Sequence, residues 1–272
     1  MISHSYKGDF LHFGLFTSAS ILVFIYFRIY MKGLCLFLNI KEKGRYPDMP
    51  SASLRYRVNG RPDMDDFLSE GKKCRSDIES ALKRVNCSLD SFHTVLDFGC
   101  GCGRTIRWFS EYSDRMQLYG CDIDQEAIRY CKSCLSNFVF KVNGPMPPLD
   151  YPDEKFDLVY SISVFTHINE DQQFEWLREL RRVTKKNGLV LLSFHGAFCW
   201  ENLNDKDKAI INNKGFLYVK DNIWKGIFPG WYQTSYHKED YIREHYSKQF
   251  KILDYLPRGI RGLQDVVIMQ KQ

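Results

Sequence analysis

The run Val95-Leu96-Asp97-Phe98-Gly99-Cys100-Gly101-Cys102-Gly103-Arg104 constrains this chain more than any other. The apolar stretch His93 to Leu96 reads as a buried strand, which ends in an acid and then breaks into three glycines at alternate positions. Ile106, Phe109 and Tyr112 follow at helical spacing. A strand, a tight glycine turn and a helix start build a pocket in which backbone approaches a ligand closely, because glycine accepts positive φ and carries no Cβ.

The acid decides which ligand fits. A dinucleotide fingerprint has the spacing G-x-G-x-x-G and no acid in its first turn, so that helix N–H groups receive a pyrophosphate. Here the spacing is G-x-G-x-G, and Asp97 stands two residues before the first glycine. A carboxylate at that point repels a pyrophosphate and suits an ammonium or sulfonium group. The bland alternative is a glycine-rich structural turn.

At 272 residues, 44% hydrophobic and 26% charged, the chain can bury one sizeable core with extensions. Its net charge of +5 is lopsided: residues 1–45 hold six cations and two acids, which leaves only +1 for the other 227 residues. No basic stripe for a phosphate backbone stands out there, so no nucleic-acid partner is expected. Nine cysteines, an odd count with several in apolar runs, suit buried thiols in a reducing compartment. Cys131 and Cys134 have metal-ligand spacing, and Cys100 with Cys102 offers a second pair. However, Cys131 falls within a helical pattern and the other pair within the glycine turn, so no metal is expected.

Phe10 to Phe27 is an uncharged run of 18 residues. As a helix rising ~1.5 Å per residue it spans roughly 27 Å, close to a hydrocarbon core of ~30 Å. Arg28, Lys32, Lys41, Lys43 and Arg45 follow it and only Lys7 precedes it. The expectation is a single membrane anchor with the C-terminal bulk in the cytoplasm. A cleaved signal peptide, a helix lying on the bilayer or on the domain, and a translation start at Met31 compete with it.

Three regions follow: a hydrophobic segment at 1–45, a linker with an N-terminal helical part at 46–92, and a main domain at 93–272. Residues 41–62 read as irregular, and 65–85 as helix interrupted near Gly71. Downstream, strands at 116–121, 137–142, 155–162 and 189–194 alternate with helices at 125–135 and 171–183. This alternation predicts an α/β doubly wound, mostly parallel sheet. Residues 250–256 and 263–269, joined at Pro257-Arg258-Gly259, form a closing hairpin.

In such a sheet the ligand lies outside the carboxyl ends of the strands. After the second strand, Asp122 in Gly120-Cys121-Asp122-Ile123-Asp124 is placed to accept from a ribose diol. After the third, Asn143 suits an adenine edge, and after the fourth, Ser161 starts an uncharged loop able to meet cofactor and substrate. Residues 93 to 195 resemble a class I S-adenosylmethionine-dependent methyltransferase through LDFGCGCGR, GCDIDQEAI, FDLVYSISVFTHI and LRELRRVTKKNGLVLLSFHG. The resemblance implies seven strands with the last antiparallel and helices on both faces. It implies that Asp97, Gly99, Cys100, Gly101 and Gly103 surround the methionine portion, that Asp122 and Ile123 hold the ribose, and that Asn143 lies near adenine. Many relatives carry an acid where Asn143 stands.

Methyl transfer is an in-line displacement that mainly needs acceptor and methyl held in near-attack geometry, and a hydroxyl acceptor also needs a base. No N/D-P-P-Y run follows the fourth strand, which argues against nucleobase amines. Three histidines are candidate bases: His195, best placed at the end of the fifth strand, His237 in the aromatic insertion, where a helix-start or surface role competes, and His167 after the fourth strand, where capping or packing the following helix is the favoured alternative. Residues 196–246 form an aromatic insertion that covers the cleft or packs the core. The run Leu54 to Val58 is expected to fold over the cofactor, with Arg55 or Arg57 offered to a carboxylate. The LRYRVNG run and the QDVVIM ending resemble uncharacterised members associated with glycan modification, which implies O-methylation of a sugar or other small hydroxyl acceptor. N- or C-methylation of a small-molecule or lipid-linked acceptor and a membrane-tethered, non-catalytic cofactor binder are the rival readings.

Overall fold

The computed structural model describes residues 18–42, 44–220 and 233–272. Strands β1 (Thr94–Phe98), β2 (Gln117–Asp122), β3 (Val139–Val142), β4 (Phe156–Ser161) and β5 (Thr184–Phe194) run parallel. With β8 (Lys251–Ile260) and β9 (Gln264–Gln270) they form one seven-stranded sheet of order β3-β2-β1-β4-β5-β9-β8, in which β9 is antiparallel to both neighbours. The order reverses between β1 and β4, and that switch point opens the crevice.

The central strands β1, β4, β5 and β9 are apolar on both faces over most of their length because both faces are covered. Val95 and Leu158 face a core shared with helix α3 (Met64–Arg84), a 3-10 helix at Ile106–Tyr112 and helix α4 (Gln125–Cys134). Their neighbours Leu96 and Val159 face the opposite core, filled by helices α5 (Glu170–Val183) and α8 (Glu239–Tyr246). This period of two places alternate residues of one strand in separate cores.

Several sequence expectations need correction. Ile106, Phe109 and Tyr112 are buried as the spacing predicts, but their segment is a 3-10 helix with no side-chain cap. Helix α3 runs through Gly71 without a break, and a Cβ at that position would lie 2.1 Å from the Arg104 carbonyl oxygen. The glycine permits close packing. The supposed linker contains helix α2 (Ala52–Asn59), started by the Ser51 hydroxyl and ended by Gly60 at φ 72°. The closing hairpin turns at 261–263, and Pro257 to Gly259 sit at a register shift within β8. A proline is tolerated there because it lacks the N–H that a regular ladder needs.

At the N-terminus, helix α1 (Ser18–Glu42) is offset from the apolar run and includes Lys32, Lys41 and Glu42. Among the described residues no helix is long and apolar enough to cross a membrane. The first part of the Phe10–Phe27 run, residues 10–17, lies outside the described residues. Met31 and Cys35 of α1 pack on Ala52 and Tyr56 of α2. Asn39 Oδ1 accepts from the Ala52 N–H at 2.7 Å, and Glu42 pairs with Arg55 at 2.6 Å.

The 196–246 insertion contributes helices α6 (Ala197–Trp200) and α7 (Asp205–Lys214), then strands β6 (Phe216–Val219) and β7 (Thr234–His237) paired as a small antiparallel sheet. Its Trp224, Phe228, Trp231 and Tyr232 lie outside the described residues.

Candidate active site

A cavity of about 420 Å³ opens at the carboxyl ends of β1 to β4. Asp97, Gly99, Cys100 and Gly101 line it from the first turn, Asp122 and Ile123 from the second, and Asn143 from the third. Its volume suits a ligand of cofactor size.

The glycine turn is shaped by what touches it. Gly99 has φ 83°, and a Cβ there would lie 2.0 Å from Val164 Cγ2. Gly101 has φ 54°, with Val58 Cγ2 at 2.6 Å from a built Cβ. The loop therefore passes between the β4 loop and α2 with room for hydrogen only. Gly103 does not line the cavity; it backs the turn against Leu135, at 2.6 Å from a built Cβ. The Cys131 thiol also supports the turn, donating to the Gly101 carbonyl at 3.5 Å.

Asp97 is 2% exposed, and the Tyr160 hydroxyl donates to its Oδ2 at 2.9 Å. Burial pushes its carboxyl up to about 7, against the Tyr160 hydrogen bond, with the Asp122 carboxylate adding to the rise. Burial likewise raises Asp122 to about 6, although both of its oxygens accept backbone N–H groups, from Gly101 at 2.7 Å and Asp124 at 2.8 Å. Arg104, also in the cavity lining, opposes the rise at Asp97 without an ion pair to it, so the two buried carboxyls are placed to receive a positive charge and hydroxyl donors.

Asn143 Nδ2 donates to the Gly144 carbonyl at 2.8 Å, while its buried Oδ1 has no partner. An orphaned acceptor in a cavity wall fits an amino group of a ligand. The residues thus fit S-adenosylmethionine: a carboxylate for its cationic end, an acid for its ribose and an amide for its base. Among the described residues no group of three or more His, Cys, Asp or Glu side chains is arranged to hold a metal ion.

Ser161 does not line the cavity. Its hydroxyl donates to the Phe98 carbonyl at 2.8 Å and ties β4 to β1. Ser163 takes the place expected of it, at φ 64°, with its N–H donating to Ser193 Oγ at 2.8 Å and its hydroxyl bonded to Gln264. A left-handed serine turns the chain after β4 and exchanges which side chains face inward.

The histidines also depart from expectation. His195 and His237 lie outside the cavity lining, and His167 lies in it. β7 closes over the end of β5: the His237 N–H donates to the His195 carbonyl at 2.9 Å, and His195 Nδ1 donates to the Ser235 carbonyl at 3.2 Å. His237 is fully buried, with Nε2 against Gln173 Oε1 at 2.9 Å. Burial lowers all three imidazoles, His167 to about 4 and His195 to about 3, so each is neutral at neutral pH. His167 Nδ1 lies 2.6 Å from the Gln233 carbonyl, which can only accept, so its proton sits on Nδ1.

Gln173 holds this arrangement in register. Its Nε2 donates to the Phe165 and Ile168 carbonyls at 3.1 and 3.0 Å, and its Oε1 accepts from the Tyr246 hydroxyl at 2.6 Å. The segment carrying His167 is pinned from both sides. Trp176, Tyr218 and Lys220 complete this side of the cavity. Tyr218 and Lys220 come from the insertion, whose folding back leaves no local sequence pattern.

Helix α2 closes the opposite wall with Arg57 and Val58. Arg57 is engaged by Asp124 at 2.9 Å and Glu126 at 2.8 Å, which hold its guanidinium above its usual value although burial opposes this. Arg55 is spent elsewhere, on Glu42 and the Pro50 and Pro62 carbonyls at 2.6, 2.6 and 2.7 Å. Of the two arginines expected to reach a ligand, only Arg57 faces the cavity.

Comparison with known proteins agrees with this geometry. A family model described as a methyltransferase domain matches residues 96–192. The uncharacterised methyltransferase YcgJ of Bacillus subtilis (strain 168) is 29% identical over 126 residues, covering 44% of this chain and 47% of that one. Phosphoethanolamine N-methyltransferase of Plasmodium falciparum (isolate 3D7) is 23% identical over 163 residues, 57% of each chain. A solved SAM-dependent methyltransferase from Aquifex aeolicus superposes with TM-score 0.51 at 16% identity, covering 82% of this chain and all of that one. The chain spans about half the length of the curated relatives it matches.

Proposed function

From the premise that this chain has the class I S-adenosylmethionine-dependent methyltransferase fold, with a methyltransferase domain at residues 96–192, we infer that it transfers a methyl group to a small acceptor, at a hydroxyl oxygen. The observation that carries the reading is His167 sharing one cavity with Asp97, its tautomer set by the Gln233 carbonyl. Sugar and glycan hydroxyls fit the leading expectation from sequence. N-methyltransferases among the relatives keep an amine acceptor as the rival.

When bound, S-adenosylmethionine supplies an electrophilic methyl group on a sulfonium. Asp97 would favour the cationic end of the ligand, Asp122 would accept from the ribose, and Asn143 would offer its free Oδ1 to adenine. His167 would be the residue of the cavity wall that orients an acceptor hydroxyl and takes its proton as the methyl passes from the sulfonium sulfur to the oxygen. Trp176 and Tyr218 line the same cavity and would offer an acceptor apolar surface in place of water.

A methyl-labelled cofactor assay against fractionated small-molecule extract, with the product class identified, tests this reading. His167→Ala should lower turnover by ~10²-fold with cofactor affinity unchanged. Full turnover in His167→Ala would remove the base from the account, and a labelled amine product would favour the rival acceptor.

A further inference from the structure

Helix α1 carries two apolar stripes, and the fold uses only one. Met31 and Cys35, with Leu34 and Leu38 beside them, face α2. Tyr26, Ile29, Tyr30, Leu36, Phe37 and Ile40 face away, with exposures of 54% to 72%. At ~100° per residue these positions fall within one arc of about 120°. Single exposed apolar side chains are ordinary on a surface, but a continuous stripe of aromatic and aliphatic groups marks an interaction site.

The charges select the occupant. Lys32 and Lys41, both exposed, border the arc on its two sides, and Lys43 and Arg45 follow just beyond the helix in sequence. Residues 1–45 contain only Asp9 and Glu42 as acids, and Glu42 is paired with Arg55. A second copy of this helix would set cations against cations. An anionic lipid surface instead accepts the apolar stripe below its headgroups and the lysines among them. The amphipathic rings of Tyr26 and Tyr30 suit that depth. We propose that the outer face of α1 docks in the plane of an anionic bilayer surface. The same helix packs through its other stripe on α2, whose Arg57 and Val58 form one cavity wall. Docking is independent of the chemistry assigned to that cavity.

The test is co-sedimentation of the full chain with vesicles of phosphatidylcholine alone or mixed with phosphatidylserine. The expected result is binding to the mixed vesicles, weaker by at least ~tenfold without phosphatidylserine and weakened by salt. Leu36→Glu with Phe37→Glu should cut partitioning by at least ~tenfold, with circular dichroism and thermal unfolding unchanged. Lys32→Glu with Lys41→Glu should remove the phosphatidylserine dependence while leaving the apolar stripe intact. Both pairs lie outside Phe10–Phe27, so undiminished binding in the Leu36 and Phe37 variant would assign the membrane contact to that run and overturn the proposal. Failure of the full chain to bind would overturn it, as would a dimer in solution that this variant dissociates.

Discussion

A carboxyl raised to about 7, as in Asp97, binds its proton more tightly in the folded protein than in the unfolded chain, where an aspartate titrates near ~3.9. Its contribution to stability is therefore complete below about pH 4 and is lost as pH rises through 7. A cationic ligand favours the carboxylate and offsets that loss. Stabilisation by S-adenosylmethionine should accordingly grow between pH 6 and pH 8, measured as the ligand-induced shift in unfolding temperature. Asp97→Asn should flatten this dependence, leaving a weaker rise near pH 6 from Asp122. A shift that shrinks with pH in the native protein would contradict the assignment. Gly99 offers a steric test: Gly99→Ala should destabilise by about 2 kcal/mol or more, from positive φ and the clash with Val164. Val164→Ala in the same chain should recover part of this in chemical denaturation, because the clashing methyl is removed.

Residue chemistry explains which parts of the site could be read in advance. Asp97 was legible because an acid at a strand end before a glycine turn has few uses, and Asp122 because its distance from that turn is set by one helix and one strand. The choice among histidines was not legible. His195 lies at the end of β5 as topology demands, yet β7 returns from the insertion and covers it. Likewise, Ser161 and Ser163 differ only in which side of the β4 end they face, and the positive φ of Ser163 decides that.

At the scale of elements, α2 is the part least expected. Its signals were present in Ser51 and Gly60, a start and a stop around eight residues, but the surrounding prolines obscured them. Once formed, it places Val58 over Gly101 and clasps α4 through Arg57. The pairs are partly exposed, with Arg57 at 22% and Glu126 at 53%, so together they contribute about 1 kcal/mol. Arg57→Ala should leave global stability nearly unchanged while speeding hydrogen exchange in α2 and raising the cofactor Kd by ~3- to 10-fold. Unchanged exchange and affinity would reduce α2 to a passive wall. The closing hairpin shows the opposite case: both strands were legible from their apolar runs, but the turn moved because Pro257 occupies a bulge.

The whole molecule follows from alternation of strand and helix, a pattern that sequence carries well because each buried strand must be apolar on two faces. The sheet order, with β9 inserted antiparallel between β5 and β8, is what such a chain builds when its last two strands have no helix between them. Contacts between distant segments were not legible, including the arrival of Tyr218 and Lys220 at the cavity that the β4 loop also lines. The central claim is that the crevice at the switch point binds S-adenosylmethionine through Asp97. Titration calorimetry of the full chain with S-adenosylmethionine tests it most directly. The account predicts saturable binding of one ligand per chain, weakened by about tenfold or more in Asp97→Asn. Absence of binding by the native chain, or equal affinity in the variant, would contradict it.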